Sequence, residues 1–159
     1  MKNYPSSAFV MSSWFALVSG AAGFLIGLWN SELQLNEQGF FFTVLMYGLF
    51  AAVTVQKSVR DKAEGIPVTN MFSGISWCSA ILAVLLLGVG VFNAELLLSE
   101  KGFYIMSFIL SLFGAITVQK NVRDLQQPAQ SEDVMGTSIS ENATGTSISE
   151  SLEAEQAIT

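Results

Sequence analysis

Four apolar stretches without a charged residue constrain this chain more than any other feature of its sequence. They cover residues 8–29, 39–55, 71–92 and 102–118. At a rise of about 1.5 Å per residue, a helix over each longer stretch can cross a hydrocarbon layer of about 30 Å, and the other two are slightly short. Only 13% of the residues are charged, against about a quarter in soluble domains. The sequence therefore predicts an all-α integral membrane protein with four transmembrane helices.

The second and fourth stretches end in the same motif, Val-Gln-Lys-x-Val-Arg-Asp. It begins at Val55 and again, 63 residues later, at Val118. The same offset aligns residues 14–61 with 77–124 without a gap, and roughly a third of the aligned positions are identical, as in a tandem duplication. The predicted units are a first two-helix membrane repeat over 8–64 (helices about 8–29 and 39–57) and a second over 71–124 (helices about 71–92 and 102–120).

The net charge of −6 belongs to the end of the chain. Residues 1–124 contain seven basic and seven acidic side chains, and the remaining six acidic residues all follow Leu125. Residues 125–159 are rich in Ser, Thr and Glu and contain few large apolar side chains. Such a segment buries too little apolar surface to offset its conformational entropy. We therefore expect residues 125–159 to form a disordered acidic cytoplasmic tail.

The basic residues predict the orientation in the membrane. Six of the seven lie at the N-terminus, between the repeats or just after the last helix, and Lys101 is the one in a hairpin tip. Short flanks that are rich in Lys and Arg stay cytoplasmic. Both termini are therefore expected in the cytoplasm, and both repeats enter the membrane in the same sense, as parallel repeats. Between them, Gly65-Ile66-Pro67 predicts a helix stop followed by a turn.

The composition leaves little room for catalysis. The chain has no His, and its single Cys is Cys78, within an apolar stretch where a small core residue is the expected role. No predicted span contains an acidic or basic side chain, so a nucleophile there would lack a base. We expect neither catalytic residues nor a cofactor or metal site, and hence no enzyme.

Small residues mark candidate helix contacts. Gly48 and Ala52 in the second helix align with Ser111 and Ala115 in the fourth, a small-xxx-small stripe that lets helices approach closely in lipid. We expect this shared stripe to pack internally. The first helix also carries a GxxxG motif that begins at Gly23 and has no counterpart in the second repeat, which suggests a self-association face. Aromatic residues near the predicted membrane interfaces, typical of belt residues, include Trp29, Phe40 and Tyr104.

The hairpin tips carry the repeated pattern Asn-x-Glu-Leu-x-Leu-x-Glu-x-Gly-Phe over residues 30–40 and 93–103. Structurally, the Asn would end one helix, the second Glu would lie near the start of the next helix, and the Gly would allow the turn. Functionally, two copies would form an acidic rim for a cation or a basic partner. The residues concerned are Asn30, Glu32, Glu37, Asn93, Glu95 and Glu100.

The second motif places basic and acidic residues at the other end of the repeats. Lys57 and Asp61 are four residues apart, as are their counterparts in the second copy, which predicts an ion pair on one helix face. Lys and Arg near the membrane surface also favour anionic headgroups. We expect these residues to act as an interfacial anchor or an interaction surface: Gln56, Lys57, Arg60, Asp61, Gln119, Lys120, Arg123 and Asp124.

The two motifs together resemble those of the YiaA/YiaB family of bacterial inner-membrane proteins, in its two-copy form. The resemblance covers about residues 7–124 and leaves the tail out. It implies four helices in the bacterial inner membrane with cytoplasmic ends. It implies no reaction, ligand or catalytic residue.

Two functional hypotheses follow. The first is a non-enzymatic structural or interaction protein, whose partners are the lipid bilayer and a second copy of itself or another membrane protein, with no nucleic acid. The alternative is a small oligomeric channel or transporter that has the acidic rim as its mouth.

Overall fold

The computed structural model describes residues 6–125, which form four α-helices. They are α1 (Ser7–Asn30), α2 (Leu35–Ala63), α3 (Asn70–Asn93) and α4 (Leu98–Leu125). Each helix is long and apolar enough to cross a membrane, which confirms the predicted four-helix architecture. Residues 6–121 belong to one compact unit, and residues 122–125, the last described turn of α4, belong to a second. Apart from Leu125, the predicted tail lies outside the described residues.

The repeated asparagines end α1 and α3, as predicted. The Asn30 side-chain amide donates to the Ile26 carbonyl (2.9 Å), and Asn93 makes the same bond to Val89 (2.8 Å). In each bond the Asn side chain bonds back to the carbonyl four residues earlier in its own helix, a local bond that competes with continuation of the helix. At its other end, α1 begins after Ser6, whose hydroxyl accepts from the Phe9 N–H (3.3 Å).

The second helix of each repeat begins four residues earlier than predicted. Glu37 accepts a hydrogen bond from the Gln34 N–H (3.0 Å), and Glu100 accepts one from the Leu97 N–H (2.9 Å). These carboxylates satisfy the first donors of α2 and α4 and suit the helix dipole. The repeated glycines of the tip motif, Gly39 and its counterpart in α4, therefore lie within helices. The prediction that they form the turn is wrong.

The connection between the repeats follows a Schellman motif, and α2 extends to Ala63, beyond the predicted end at 57. Gly65 has a positive φ of 75°, a conformation that favours glycine. Its N–H donates to the Lys62 carbonyl (3.2 Å), and the Ile66 N–H donates to the Asp61 carbonyl (2.9 Å). The predicted helix stop at Gly65 is confirmed.

The repeats pack against each other as parallel hairpins. The first half of α1 meets the last part of α4, since Asn121 bonds Ser13, and the end of α1 meets the start of α4, where Gly27 faces Phe103. The two helices are therefore antiparallel. The same offset relates this interface to that of α2 and α3, in which Gly90 faces Phe40. Each glycine leaves room for a phenyl ring from the other repeat.

The core lies between the four helices and is dominated by aromatic rings. Phe24, Phe41 and Phe108 are fully buried. Tyr104 is also buried: its ring stacks on Phe41 (5.5 Å between centroids, 21° between planes) and meets Phe24 edge-on (5.2 Å). The prediction that Tyr104 is a belt residue is therefore wrong, because it faces the other helices. Cys78 was expected in the core and is instead exposed on α3.

The structure tests both predictions about the small residues. Gly48, Ala52 and their counterparts in α4 are buried, so the prediction of internal packing for the shared stripe is confirmed. The GxxxG motif in α1 also faces inward: Gly23 lies beside Phe103 and Ser107 of α4. The predicted self-association face is therefore an internal contact of the same chain.

Candidate functional site at the two ends of the bundle

The repeated polar motifs gather at opposite ends of the bundle. We call the connections 30–37 and 93–100 the tip end. We call residues 55–62 of α2 and 118–121 of α4 the basic end. Because α2 and α4 run in the same direction, both copies of each motif lie at the same end.

At the tip end, both repeats line a cavity of about 910 Å³. The structure brings together here all six tip residues singled out from the sequence. The lining residues are Asn30, Glu32, Leu33, Gln34, Glu37, Asn93, Glu95, Leu96, Leu97 and Glu100.

Several polar side chains at the tip end form hydrogen bonds with main-chain groups at the helix ends. Glu37 and Glu100 accept main-chain N–H groups of their own turns. Lys101 is the one basic residue of the sequence that lies in a hairpin tip, and it donates to the Phe92 carbonyl at the end of α3 (3.2 Å). Glu32, Glu95 and Glu100 are the exposed carboxylates of the cavity, and of these Glu100 already accepts a main-chain hydrogen bond. Within residues 6–125, no three acidic, His or Cys side chains come close enough to hold a metal ion.

Two residues that line the tip cavity, Leu33 and Leu96, pack against the core. Tyr104 lies near Ser31 of the first connection, and its ring packs between Phe24 and Phe41. Phe108 is 1% exposed, and its ring centroid lies 6.4 Å from that of Phe24. Within a single chain, the buried aromatic rings therefore fill the space between the four helices.

At the basic end, the predicted pairing of Lys57 with Asp61 is wrong. The ion pair that α2 forms there joins Arg60 Nε to Glu64 Oε1 at 3.8 Å. Lys57 is exposed to the surroundings, whereas the Arg60 side chain is 25% exposed. The motif therefore turns the lysine outward and the arginine partly inward.

Within the described chain, the buried side-chain nitrogen and oxygen atoms that lack a hydrogen-bond partner all belong to this motif. They are Gln56 Oε1, Ser58 Oγ, Arg60 Nε, Arg60 Nη1, Gln119 Oε1 and Asn121 Oδ1. The 63-residue offset pairs Gln56 with Gln119 and Ser58 with Asn121. Buried polar groups without partners are rare in native proteins, and each indicates a missing ligand, water or contact.

Sequence reasoning identified the two glutamines and Arg60 but missed Ser58 and Asn121. These two occupy the position at which the two copies of the motif differ. Asn121 donates from Nδ2 to Ser13 Oγ (2.8 Å), and Ser13 donates onward to the Phe9 carbonyl (2.7 Å). In the first repeat, the shorter Ser58 makes no hydrogen bond. Here α2 is bonded to α3 by Lys62 Nζ, which donates to Ser73 Oγ (2.9 Å). Arg123 and Asp124 lie in the last described turn of α4.

Membrane-length helices, parallel tandem hairpins and a repeated motif at each end define an integral membrane protein built from two-helix repeats. The chain belongs to the family described as yiaA/B two helix domain, whose model matches residues 9–61 and 72–124. The resemblance drawn from the sequence is therefore confirmed.

Three relatives are similar over different shares of the chain. "Inner membrane protein YiaA" of Escherichia coli (strain K12) is 57% identical over 119 residues, which cover 75% of this chain and 82% of the relative. "Inner membrane protein YiaB" of the same strain is 32% identical over 61% of this chain and 82% of the relative. "Uncharacterized membrane protein YubF" of Bacillus subtilis (strain 168) is 38% identical over 36% of this chain and 67% of the relative. No solved structure matches the chain.

Proposed function

We propose that this chain is a non-enzymatic protein of the bacterial inner membrane that acts by binding other membrane components through its basic end. The inner-membrane location is supported by the names of the relatives YiaA and YiaB. The single observation that carries the choice of surface is the concentration of unpartnered buried polar atoms in the motif of the basic end.

The tip motif has a structural explanation that the basic motif lacks. The tip residues Asn30 and Glu37, with their counterparts, bond main-chain groups of their own helices. By contrast, Gln56, Gln119 and Arg60 each keep a buried polar atom without a hydrogen bond. A group that is buried and unpaired costs free energy, of the order of 1–3 kcal/mol. Such a cost suits a surface that is completed by a partner.

The proposed orientation places the basic end in the cytoplasm and the tip end on the opposite side. Lys57, Lys62 and Lys120 are all exposed at the basic end, and short segments rich in Lys and Arg are retained in the cytoplasm. At the tip end, the Lys101 ammonium donates to the Phe92 carbonyl, and the carboxylates of Glu32, Glu95 and Glu100 are exposed.

Native mass spectrometry of the full chain, gently extracted from its own membrane, tests the proposal. We expect a discrete oligomer or a defined co-purifying membrane protein. The variant Arg60→Gln should lose that assembly. The matched control, Lys57→Gln, removes the same charge from an exposed position of the same motif and should keep it. A wild-type monomer, or an Arg60→Gln variant that assembles normally, would refute the proposal.

A second candidate function rests on the tip cavity. In this hypothesis several copies form a small channel or transporter, and the cavity of about 910 Å³ lies at its mouth. Since buried rings fill the single chain, the path would run between copies. Cation flux into proteoliposomes should then fall when Glu32 and Glu95 are both replaced by Gln. Absence of flux, or flux that the double replacement leaves unchanged, would count against this role of the carboxylates.

A further inference from the structure

The inference concerns Arg60 and Gln56, which share one face of α2 at the basic end. They are four residues apart, the spacing that brings side chains together on a helix. Arg60 Nε and Nη1 and Gln56 Oε1 are all buried, and none has a hydrogen-bond partner. The Gln56 amide has an acceptor oxygen and an N–H₂ donor, and a half-turn of the amide exchanges which of the two faces Arg60.

The acidic neighbour does not satisfy the guanidinium. Glu64 Oε1 lies 3.8 Å from Arg60 Nε, beyond the usual range of about 2.7–3.2 Å for an N–H···O hydrogen bond. The Glu64 side chain is itself 32% exposed, so solvent screens its attraction. Arg60 therefore has a positive charge and two shielded donor nitrogens that lack an acceptor at hydrogen-bond distance.

Two of the other three residues with unpartnered atoms, Ser58 and Asn121, face elsewhere. Ser58 lies two residues from both Gln56 and Arg60, which is about 200° around the helix. Ser58 and Asn121 are 0% and 1% exposed, and the Asn121 amide bonds Ser13 on α1. These two side chains belong to the contacts between helices, whereas the Arg60 side chain is 25% exposed, so that a rotation of this side chain can bring its covered Nε and Nη1 atoms to the surface of the bundle.

The depth of Arg60 indicates what completes the site. The apolar stretch of α2 ends at Val55, and five residues of helix place the Arg60 backbone about 7.5 Å beyond it. Helical side chains point back toward the N-terminus of their helix, which for α2 is toward the hydrocarbon. The guanidinium thus lies in the polar headgroup layer, where the phosphates of the lipids lie. Arginine is well suited to phosphate oxygens, to which it donates strong charge-assisted hydrogen bonds.

We propose that Arg60 and Gln56 form a binding site for the phosphate of an anionic phospholipid headgroup. The phosphate oxygens accept hydrogen bonds from Arg60 Nε and Nη1, and Gln56 presents its amide N–H₂ to the same headgroup. This site deepens the proposed function and rests on it, because it assigns a ligand to the surface through which the protein is proposed to act.

Charge-conserving variants separate these hydrogen bonds from general electrostatic attraction. The full-length protein is purified in a neutral detergent and titrated with phosphatidylglycerol or phosphatidylcholine, and native mass spectrometry counts the bound lipids. The wild type should prefer phosphatidylglycerol. Arg60→Lys keeps the charge but loses the guanidinium nitrogens, and it should weaken phosphatidylglycerol binding about tenfold. The matched control Lys57→Arg, at an exposed position of the same motif, should stay within about twofold of the wild type.

A second variant covers the case in which Arg60→Lys does not fold. Gln56→Glu has nearly the same shape and places a carboxylate beside the guanidinium, so it should also weaken phosphatidylglycerol binding about tenfold. Phosphatidylcholine binding should change little in either variant. Equal binding of the two lipids by the wild type would overturn the site, as would an Arg60→Lys variant that binds like the wild type. Competition by millimolar inorganic phosphate would assign the site to a soluble phosphate and overturn the lipid proposal.

The outcomes for the site and for the proposed function are distinguishable. Selective phosphatidylglycerol binding by a chain that extracts as a monomer would support the lipid site and refute assembly through the basic end. A defined assembly that remains while the lipid preference is absent would refute the lipid site alone.

Discussion

Asn121 and Ser13 are joined by a hydrogen bond of 2.8 Å, although 108 residues separate them in the chain. The bond fastens the end of α4 to the beginning of α1, and both residues are buried. At the equivalent positions of the α2–α3 interface lie Ser58 of the first repeat and Ser76 of the second, and there Ser58 is unpaired while Ser76 bonds its own helix. The two equivalent interfaces are thus joined by different hydrogen bonds, from Asn121 to Ser13 in one and from Lys62 to Ser73 in the other.

Loss of the acceptor in this pair should destabilise the bundle. Ser13→Ala would leave the Asn121 amide buried with neither of its polar atoms paired, since Asn121 Oδ1 already lacks a partner. We expect a loss of about 1–3 kcal/mol in the free energy of unfolding. Ser12→Ala, which removes an exposed hydroxyl that also bonds the Phe9 carbonyl, should cost less than about 0.5 kcal/mol. Denaturant unfolding in detergent followed by tryptophan fluorescence compares the two, and equal losses would contradict the prediction.

Glycine is required where α4 crosses α1. A Cβ atom on Gly114 would lie 2.5 Å from Leu17 Cα and 2.8 Å from Leu17 Cβ. Since Leu17 Cα belongs to the backbone, a side-chain rotation cannot relieve this contact. Gly114→Ala should therefore cost about 1–3 kcal/mol of stability.

The control for Gly114 is a glycine on the exposed face of α3. Nothing lies within 4 Å of a Cβ atom on Gly88, so Gly88→Ala should be neutral or stabilising by up to about 1 kcal/mol. Thermal unfolding in the same detergent should then show a midpoint below that of the wild type for Gly114→Ala but not for Gly88→Ala. A Gly114→Ala variant as stable as Gly88→Ala would show that the two helices can separate without cost.

Among the glycines that the sequence places near turns, Gly65 should be the one whose replacement by alanine lowers the stability of the protein. Its positive φ of 75° strains any residue with a Cβ atom, so Gly65→Ala should cost about 1 kcal/mol. Gly39 was expected in a turn but lies within α2, where nothing is within 4 Å of an added Cβ. Gly39→Ala should therefore leave the unfolding midpoint unchanged or raise it. The opposite ranking of the two midpoints would contradict the described helix boundaries.

The architecture was predictable because it depends on features that the sequence carries directly. The charge-free stretches indicate spans, and the constant offset of 63 residues indicates two equal hairpins. The helix ends at Asn30 and Gly65 were also predictable, since a side chain or a positive φ acts locally at each. The starts of α2 and α4 were misplaced because Glu37 and its counterpart satisfy donors one turn before the apolar stretch begins.

The inward and outward faces of the helices were not predictable. In a soluble bundle polarity separates them, but in α1 both the exposed Phe15 and the fully buried Phe24 are phenylalanines. The same difficulty explains the wrong expectations for Tyr104 and Cys78. At the candidate site, the repeat identified Gln56 and Arg60, but only the packing reveals which of their polar atoms are buried without a partner.

The orientation in the membrane is testable with single cysteines in a Cys78→Ser background. Ser99→Cys lies at the tip end and Ala63→Cys at the basic end, and both positions are exposed. Because the basic end carries the exposed lysines, it should remain in the cytoplasm. A membrane-impermeant maleimide should therefore label Ser99→Cys in intact cells, and should label Ala63→Cys only after the inner membrane is permeabilised. Labelling of Ala63→Cys in intact cells, with Ser99→Cys protected, would reverse the orientation and would move the proposed lipid site at Arg60 to the opposite leaflet.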